Sequence, residues 1–361
     1  TGWQGKLVND GMTRAEENHF EQNIQFLLMG DNQLAKKWRL GYTAGANIMY
    51  LKFEQLSASV QNMLEKDNWI FNTGNKLTSA LDDGHSRAMY SAFASAQLAY
   101  DEWLSLDITA RNDWSSTLPK KNNSFFYPSA SLSWVFSDFM RSIDHKLPSW
   151  ITFAKLRVSA AQVGKDPAPY NLYNVRKYQF EMGNRKPINN TIKLNANLKP
   201  EIKTSYEVGV DMKFLDNRLG FDFTYYYNTT KNQAMLVDAS SPWTQQWVNA
   251  GKINNTGVEF MLYGTPVKTR DFQFDITANL AHNSSTVKEL ADGVNRVYFA
   301  GDSNMPVKVG AVKGGKLGDI FANNLMQRDA QGRVIIGDDG LPMAATGDGN
   351  LEQYLDRKSV V

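Results

Sequence analysis

The sequence predicts an all-β protein, an antiparallel transmembrane β-barrel wall, and three observations carry that expectation. Segments of about 9–15 residues alternate strictly between apolar and polar positions, the period of a strand with one oily face and one wet face. The connections between these segments sort by length, short and long in turn. Aromatic residues gather near the segment ends, where a membrane-spanning strand meets the lipid–water interface.

The clearest pair is 202–228. In its first run Ile202, Thr204, Tyr206, Val208, Val210, Met212 and Phe214 share one face, against Lys203, Ser205, Glu207, Gly209, Asp211 and Lys213. In its second run Leu219, Phe221, Phe223, Tyr225 and Tyr227 share a face, against Gly220, Asp222, Thr224, Tyr226 and Asn228. The short polar link Asp216-Asn217-Arg218 makes the pair a hairpin. The apolar set is expected to face lipid, and Lys203, Glu207, Asp211, Asp222 and Thr224 to face the lumen.

The same reading places strands near 19–29, 37–51, 85–100, 103–111, 125–137, 151–163, 202–214, 219–228, 255–264 and 272–282. Odd-numbered connections are short and even-numbered ones long, except that the fourth and fifth (112–124 and 138–150) tie. An up-and-down barrel puts all even connections at one rim, and outer-membrane barrels have short periplasmic turns and long outer loops. Residues 1–282 are thus expected to hold ten barrel strands, and 283–361 a long outer loop region leading towards further strands. Ten strands with no closing partner would leave hydrogen-bonding edges in lipid, so a larger barrel is expected.

Composition agrees. The 361 residues carry a net charge of only +2, which gives no field for nucleic acid. Cysteine is absent, removing disulfides and thiolate chemistry, and aromatics reach 12%. No apolar run approaches the ~18 residues of a membrane helix.

Several long segments closely resemble SusC/RagA-like TonB-linked outer-membrane proteins: LDITARNDWSSTLP (106–119), FFYPSASLSWVF (125–136), KLRVSAAQVGKDPAPY (155–170), 198–233, NAGKINNTGVEFMLYGTPV (249–267) and GDIFANNLMQRDAQGRVII (318–336). The resemblance covers most of 85–340, in order. It implies part of a barrel of about 22 strands, in the outer membrane of a Bacteroidota-like cell. It also implies energy-coupled import of oligosaccharides or peptides, with a SusD-like surface lipoprotein as lid and TonB–ExbB–ExbD as motor. The plug and the TonB-contacting segment are not expected within this chain. The alternative is a SusC-like barrel acting as a scaffold in a larger outer-membrane assembly.

No catalytic set emerges, and no cofactor is expected. His19, His85, His145 and His282 lie far apart without metal-ligand spacing. Asp82-Asp83, Asp338-Asp339 and the run 347–350 are read as solvated turns rather than calcium loops. Val312-Lys313-Gly314-Gly315-Lys316 lacks the spacing of a phosphate loop. Arg111-Asn112-Asp113-Trp114 is read as the end of the fourth strand, with Trp114 as a rim anchor. The best substrate candidates are aromatics in long loops, because sugar rings stack on them: Trp243 and Trp247 in one, Tyr170, Tyr173 and Tyr178 in another. Asp166, Asn171 and Arg185 are the polar groups nearby. The competing expectation is that these aromatics pack loop on loop or contact the lid.

Overall fold

The computed structural model describes residues 11–63, 70–71, 74–173, 177–181, 184–188, 191–291, 293–300, 307–322, 326–327, 329, 331, 333–343 and 353–355. Its elements in chain order are β1 (Met12–Ala35), β2 (Trp38–Met63), β3 (Gly74–Tyr100), β4 (Leu104–Ser115), β5 (Ser124–Val135), α1 (Phe136–Ser142) and β6 (Ile151–Lys165). Then come β7 (Lys177–Glu181), β8 (Asn184–Ile188), β9 (Ile192–Lys193), β10 (Glu201–Phe214), β11 (Leu219–Lys231), β12 (Ala234–Asp238) and β13 (Gln245–Asn249). The last are β14 (Lys252–Lys268), β15 (Gln273–Glu289), β16 (Arg296–Ala300), β17 (Val307–Val312), β18 (Asp319–Ala322) and β19 (Gln353–Leu355).

Ten strands form one antiparallel sheet in the order β1-β2-β3-β4-β5-β6-β10-β11-β14-β15. Each neighbour in space is the next long strand in sequence, so the sheet is up-and-down throughout. All ten predicted strands are members. The sheet is open among the described residues, with β1 and β15 as its edges.

The register joins the alternating sets into two continuous faces. Val210 lies opposite Leu156 on one side and Phe223 on the other, and Phe223 lies opposite Phe260, itself opposite Leu280. The same face continues through Val158, Leu132, Leu106, Leu98 and Leu40. Among the described residues no protein covers it: Phe26 is 70% exposed and Leu280 67%. An apolar surface of this extent is untenable in water and at home in lipid.

Two aromatic belts bound this face. Trp38, Tyr100, Trp103, Trp134 and Phe139 cluster at the short-turn rim, with Trp38–Tyr100 centroids 4.7 Å apart and Trp103–Phe139 4.8 Å apart. Tyr50, midway along β2, marks the other limit of the apolar face, near Tyr90 and its partner Trp114. Twelve residues separate Trp38 from Tyr50, roughly 40 Å of strand, or about 30 Å of height at the usual tilt. That is the thickness of a bilayer's hydrocarbon core.

The first three strands outrun their expected bounds, at 24, 26 and 27 residues. Their extensions mix polar and apolar residues without strict alternation, and Met12 is buried opposite a buried Val60. The Asp82-Asp83 pair, expected in a turn, sits in one of these extensions on β3, opposite Leu56 and Gln55. Arg111–Trp114 does close the fourth strand, which ends one residue later at Ser115. The fourth and fifth connections do not tie. Residues 116–123 are the shorter, and 136–150 contain α1, which Phe139 fastens to Trp103 and Trp134.

The hydrophobic core lies above the sheet, at the long-loop rim. One cluster is Leu118, Phe125 and Leu198, flanked by Tyr127, Leu172 and Trp247. A second is Met235, Val237, Ala250 and Val297. Beyond Glu289 the chain forms a four-stranded sheet, β16-β17-β18-β19. The glycine-rich run after Val312 is a turn closed onto β15, where Val287 and Gly314–Gly315 exchange backbone hydrogen bonds of 2.8 and 2.9 Å.

Candidate functional site

The long-loop rim carries the expected site residues on two folded loops. In the loop between β11 and β14, β12 and β13 pair as a hairpin, and β13 takes β9 from the neighbouring loop as a parallel partner. Asn249 binds the two loops together: its Oδ1 accepts from the Lys199 amide at 2.7 Å, and its Nδ2 donates to the carbonyls of Lys199 and Asn232. Asn195 donates to the Trp247 carbonyl at 3.1 Å and its own amide donates to the Asn171 carbonyl at 3.0 Å. Asn side chains satisfy loop backbone groups that no strand partner reaches. The rim is a built surface, held before any ligand arrives.

On this surface the predicted residues separate. Tyr170 and Tyr173 are 60% and 62% exposed, and Tyr178 on β7 is exposed as well. Tyr170 has a left-handed backbone (φ 63°) and its phenolic oxygen accepts from the Ser86 amide at 3.2 Å. The hydroxyl and amide of Ser86 pull the Tyr170 pKa below the ordinary phenol value, because both donors favour the phenolate. Trp243 is half-buried near the tip of the β12–β13 hairpin, beyond the cis Ser241–Pro242 bond. Trp247 is half-buried too, packed beside Leu198 and Leu118. Arg185 lies on β8, opposite Phe180.

The structure places Asp166 beneath the loops. Its carboxylate accepts from Arg87 at 2.6 Å, from Thr117 at 2.8 Å and from the Ser115 hydroxyl, and its side chain is 3% exposed. Three segments meet on that one carboxylate, which fixes the root of the 166–200 loop. Arg87 has no motif in the sequence; only the register that brings β3 beside β4 reveals it.

The polar face of the sheet holds a further set that alternation locates without naming partners. Arg157 donates to both oxygens of Asp222, at 2.6 and 2.8 Å, and to Thr224 at 2.6 Å. Nearer the rim, Arg111 donates to the buried Asp113 at 2.8 Å and to Ser91 at 2.9 Å, while Tyr127 also donates to Asp113. Charged fork-like pairs of this kind order a wet surface without closing it. Among the described residues no group of three metal-ligating side chains comes together. His19 and His85 instead pack with tilted rings on either side of Phe53, with centroids 4.9 and 5.0 Å away.

A ten-stranded up-and-down sheet with an oily outer face and charged inner face invites comparison with known barrels. The profile of the family described as "TonB dependent receptor-like, beta-barrel" matches residues 6–311. The chain belongs to this family. It is accordingly an outer-membrane β-barrel protein, and no helix among the described residues is long and apolar enough to cross a membrane.

The TonB-dependent receptor SusC of Bacteroides thetaiotaomicron is 28% identical over 209 residues, 54% of this chain and 20% of its own length. A TonB-dependent receptor of Formosa agariphila is 26% identical over 215 residues, 57% of this chain and 21% of its own. The matched segments are thus about a fifth of these curated relatives. In fold, 96% of this receptor-like chain superposes on 38% of a chain in the structure of the RagAB peptide transporter, with a TM-score of 0.75 at 19% identity. The expected SusC/RagA-like kinship holds, and the proteins it points to are named as receptors and transporters.

Proposed function

We propose that this chain forms wall and outer rim of a TonB-dependent importer that takes up oligosaccharides or peptides delivered under a SusD-like surface lipoprotein. The observation that carries the reading is the rim itself. Loops 166–200 and 232–251 are joined by Asn249 and Asn195 into one surface, and exposed aromatics stand on it above a charged face. Aromatics held by a rigid framework bind ligands at low entropic cost.

Tyr170, Tyr173 and Trp243 are the residues we assign to stacking on substrate, with Trp247 supporting them from the packed side. Arg185, on the same loop as the tyrosines, supplies a cation for hydroxyl or carboxylate groups. Asp166 holds the loop root. SusC is a TonB-dependent receptor and RagAB a peptide transporter by name. Those names support import by the whole protein, coupled to TonB–ExbB–ExbD through segments outside this chain.

The test is uptake of fluorescent oligosaccharide and peptide pools by cells carrying the whole protein. Uptake should require the proton gradient, and the double variant Tyr173→Ala/Trp243→Ala should lower it about tenfold at limiting substrate, for the loss of about 1–2 kcal/mol of aromatic contact. Gradient-independent behaviour, with loss of other outer-membrane proteins on deletion, would instead favour the scaffold role.

A further inference from the structure

At the short-turn rim the apolar face is notched. The notch opens between the β10–β11 turn, the start of β6 and the β14–β15 hairpin, with a volume of about 820 Å³. Gly264 and Ala278 form its floor, and Trp150, Leu262 and Ile276 are among its walls. These floor and wall positions belong to the face described above as lipid-facing: Leu262 is opposite Ala278, and Gly264 opposite Ile276.

Two backbone irregularities shape it. The turn 215–218 closes with the Arg218 amide donating to the Leu215 carbonyl at 3.1 Å, and Asp216 and Asn217 are left-handed (φ 54° and 64°). Asp and Asn accept that conformation better than other side chains. The Leu215 amide donates to the Trp150 carbonyl at 2.9 Å, which ties the neighbouring connection to the same turn. In the facing hairpin the register slips between Gly264 and Val267. The carbonyls freed there, of Thr265 and Pro266, accept from Arg218 Nε at 3.4 Å and Nη2 at 3.1 Å. The guanidinium is thus pinned at the lip of the notch, which Asp216 also lines.

We propose that this notch binds a phospholipid with a zwitterionic amine headgroup, phosphatidylethanolamine, from the inner leaflet. An acyl chain lies over Gly264 and Ala278, the phosphate meets Arg218, and the ammonium meets Asp216. Charge complementarity selects this occupant. A cation and an anion at one lip match a zwitterion, whereas an anionic headgroup would meet the Asp216 carboxylate unfavourably. The level is right as well, because the aromatic belt of this rim marks the headgroup region. The proposal rests on the short turns facing the periplasm.

Native mass spectrometry of the whole protein, released from vesicles of equal phosphatidylethanolamine and phosphatidylglycerol, tests it. The wild type should retain phosphatidylethanolamine preferentially. Ala278→Phe, which fills the floor without touching a charge, should lose the retained lipid. Asp216→Asn should keep lipid but lower its preference over phosphatidylglycerol about three- to fivefold. Equal retention by Ala278→Phe, or no headgroup preference in the wild type, would overturn the site. Heat-dependent gel mobility reports folding. Should Ala278→Phe fail that check, Asp216→Asn in its solvated turn decides alone. The lipid readout does not depend on which rim faces outward, so an error in orientation would show separately, in surface labelling.

Discussion

Arg157 on β6 grips Asp222 on β11 across an intervening strand, and it does so over Gly209. A Cβ at Gly209 would collide with the Arg157 side chain at Nε. Glycine costs a strand some stability on its own, and here the open space lets one arginine staple three strands.

Gly209→Ala should therefore behave much like Arg157→Ala. Each should lower barrel stability by about 1–2 kcal/mol, a charged pair's worth discounted for solvent because Arg157 is 37% exposed. The measurement is urea unfolding of the whole protein in vesicles. Full stability in Gly209→Ala would mean that the pair does not depend on the gap.

Val210 and Asp211 are sequence neighbours on opposite faces near mid-strand. Val210→Arg places a charge in lipid, at a cost of about 2–4 kcal/mol, and should block membrane assembly. Asp211→Asn should assemble normally, since Asp211 lies directly opposite Asp222 and loses a like-charge neighbour. Immunoblots of folded protein in outer-membrane fractions separate these outcomes; equal assembly would mean that the faces are reversed.

Asp166 roots the 166–200 loop through Arg87, Ser115 and Thr117. Asp166→Asn should weaken that root by about 1.5–3 kcal/mol, the range for a hydrogen bond to a charged group. The loop should then be cut by external protease at least about tenfold faster while the barrel stays folded. Unchanged cleavage would place the loop's stability elsewhere, in the Asn249 and Asn195 contacts.

The membrane part of the fold was legible because one rule governs it. A residue such as Val208 has only two faces to choose from, and lipid and water assign them without reference to the rest of the chain. The extensions of β1–β3 were not legible, since a stretch such as Met12–Asn18 carries no strict apolar–polar alternation to read. Hairpin β12–β13 was hidden inside what reads as loop, because its five-residue strands bury one side only against another loop. At the site, Tyr173 and Trp243 could be named from composition and loop position. The ties of Asp166 to Arg87, and of Arg157 to Asp222, needed the register of strands far apart in sequence.

Surface labelling of single cysteines tests the central claim most directly, because this chain contains no cysteine of its own. Tyr173→Cys and Trp243→Cys would be placed on the long loops and Asn217→Cys in a short turn, in the whole protein with any other cysteine removed. Intact cells would be treated with a membrane-impermeant maleimide. An outer rim that receives substrate predicts labelling at positions 173 and 243, with position 217 labelled only after the outer membrane is permeabilised. Labelling of position 217 in intact cells, with 173 and 243 protected, would contradict it.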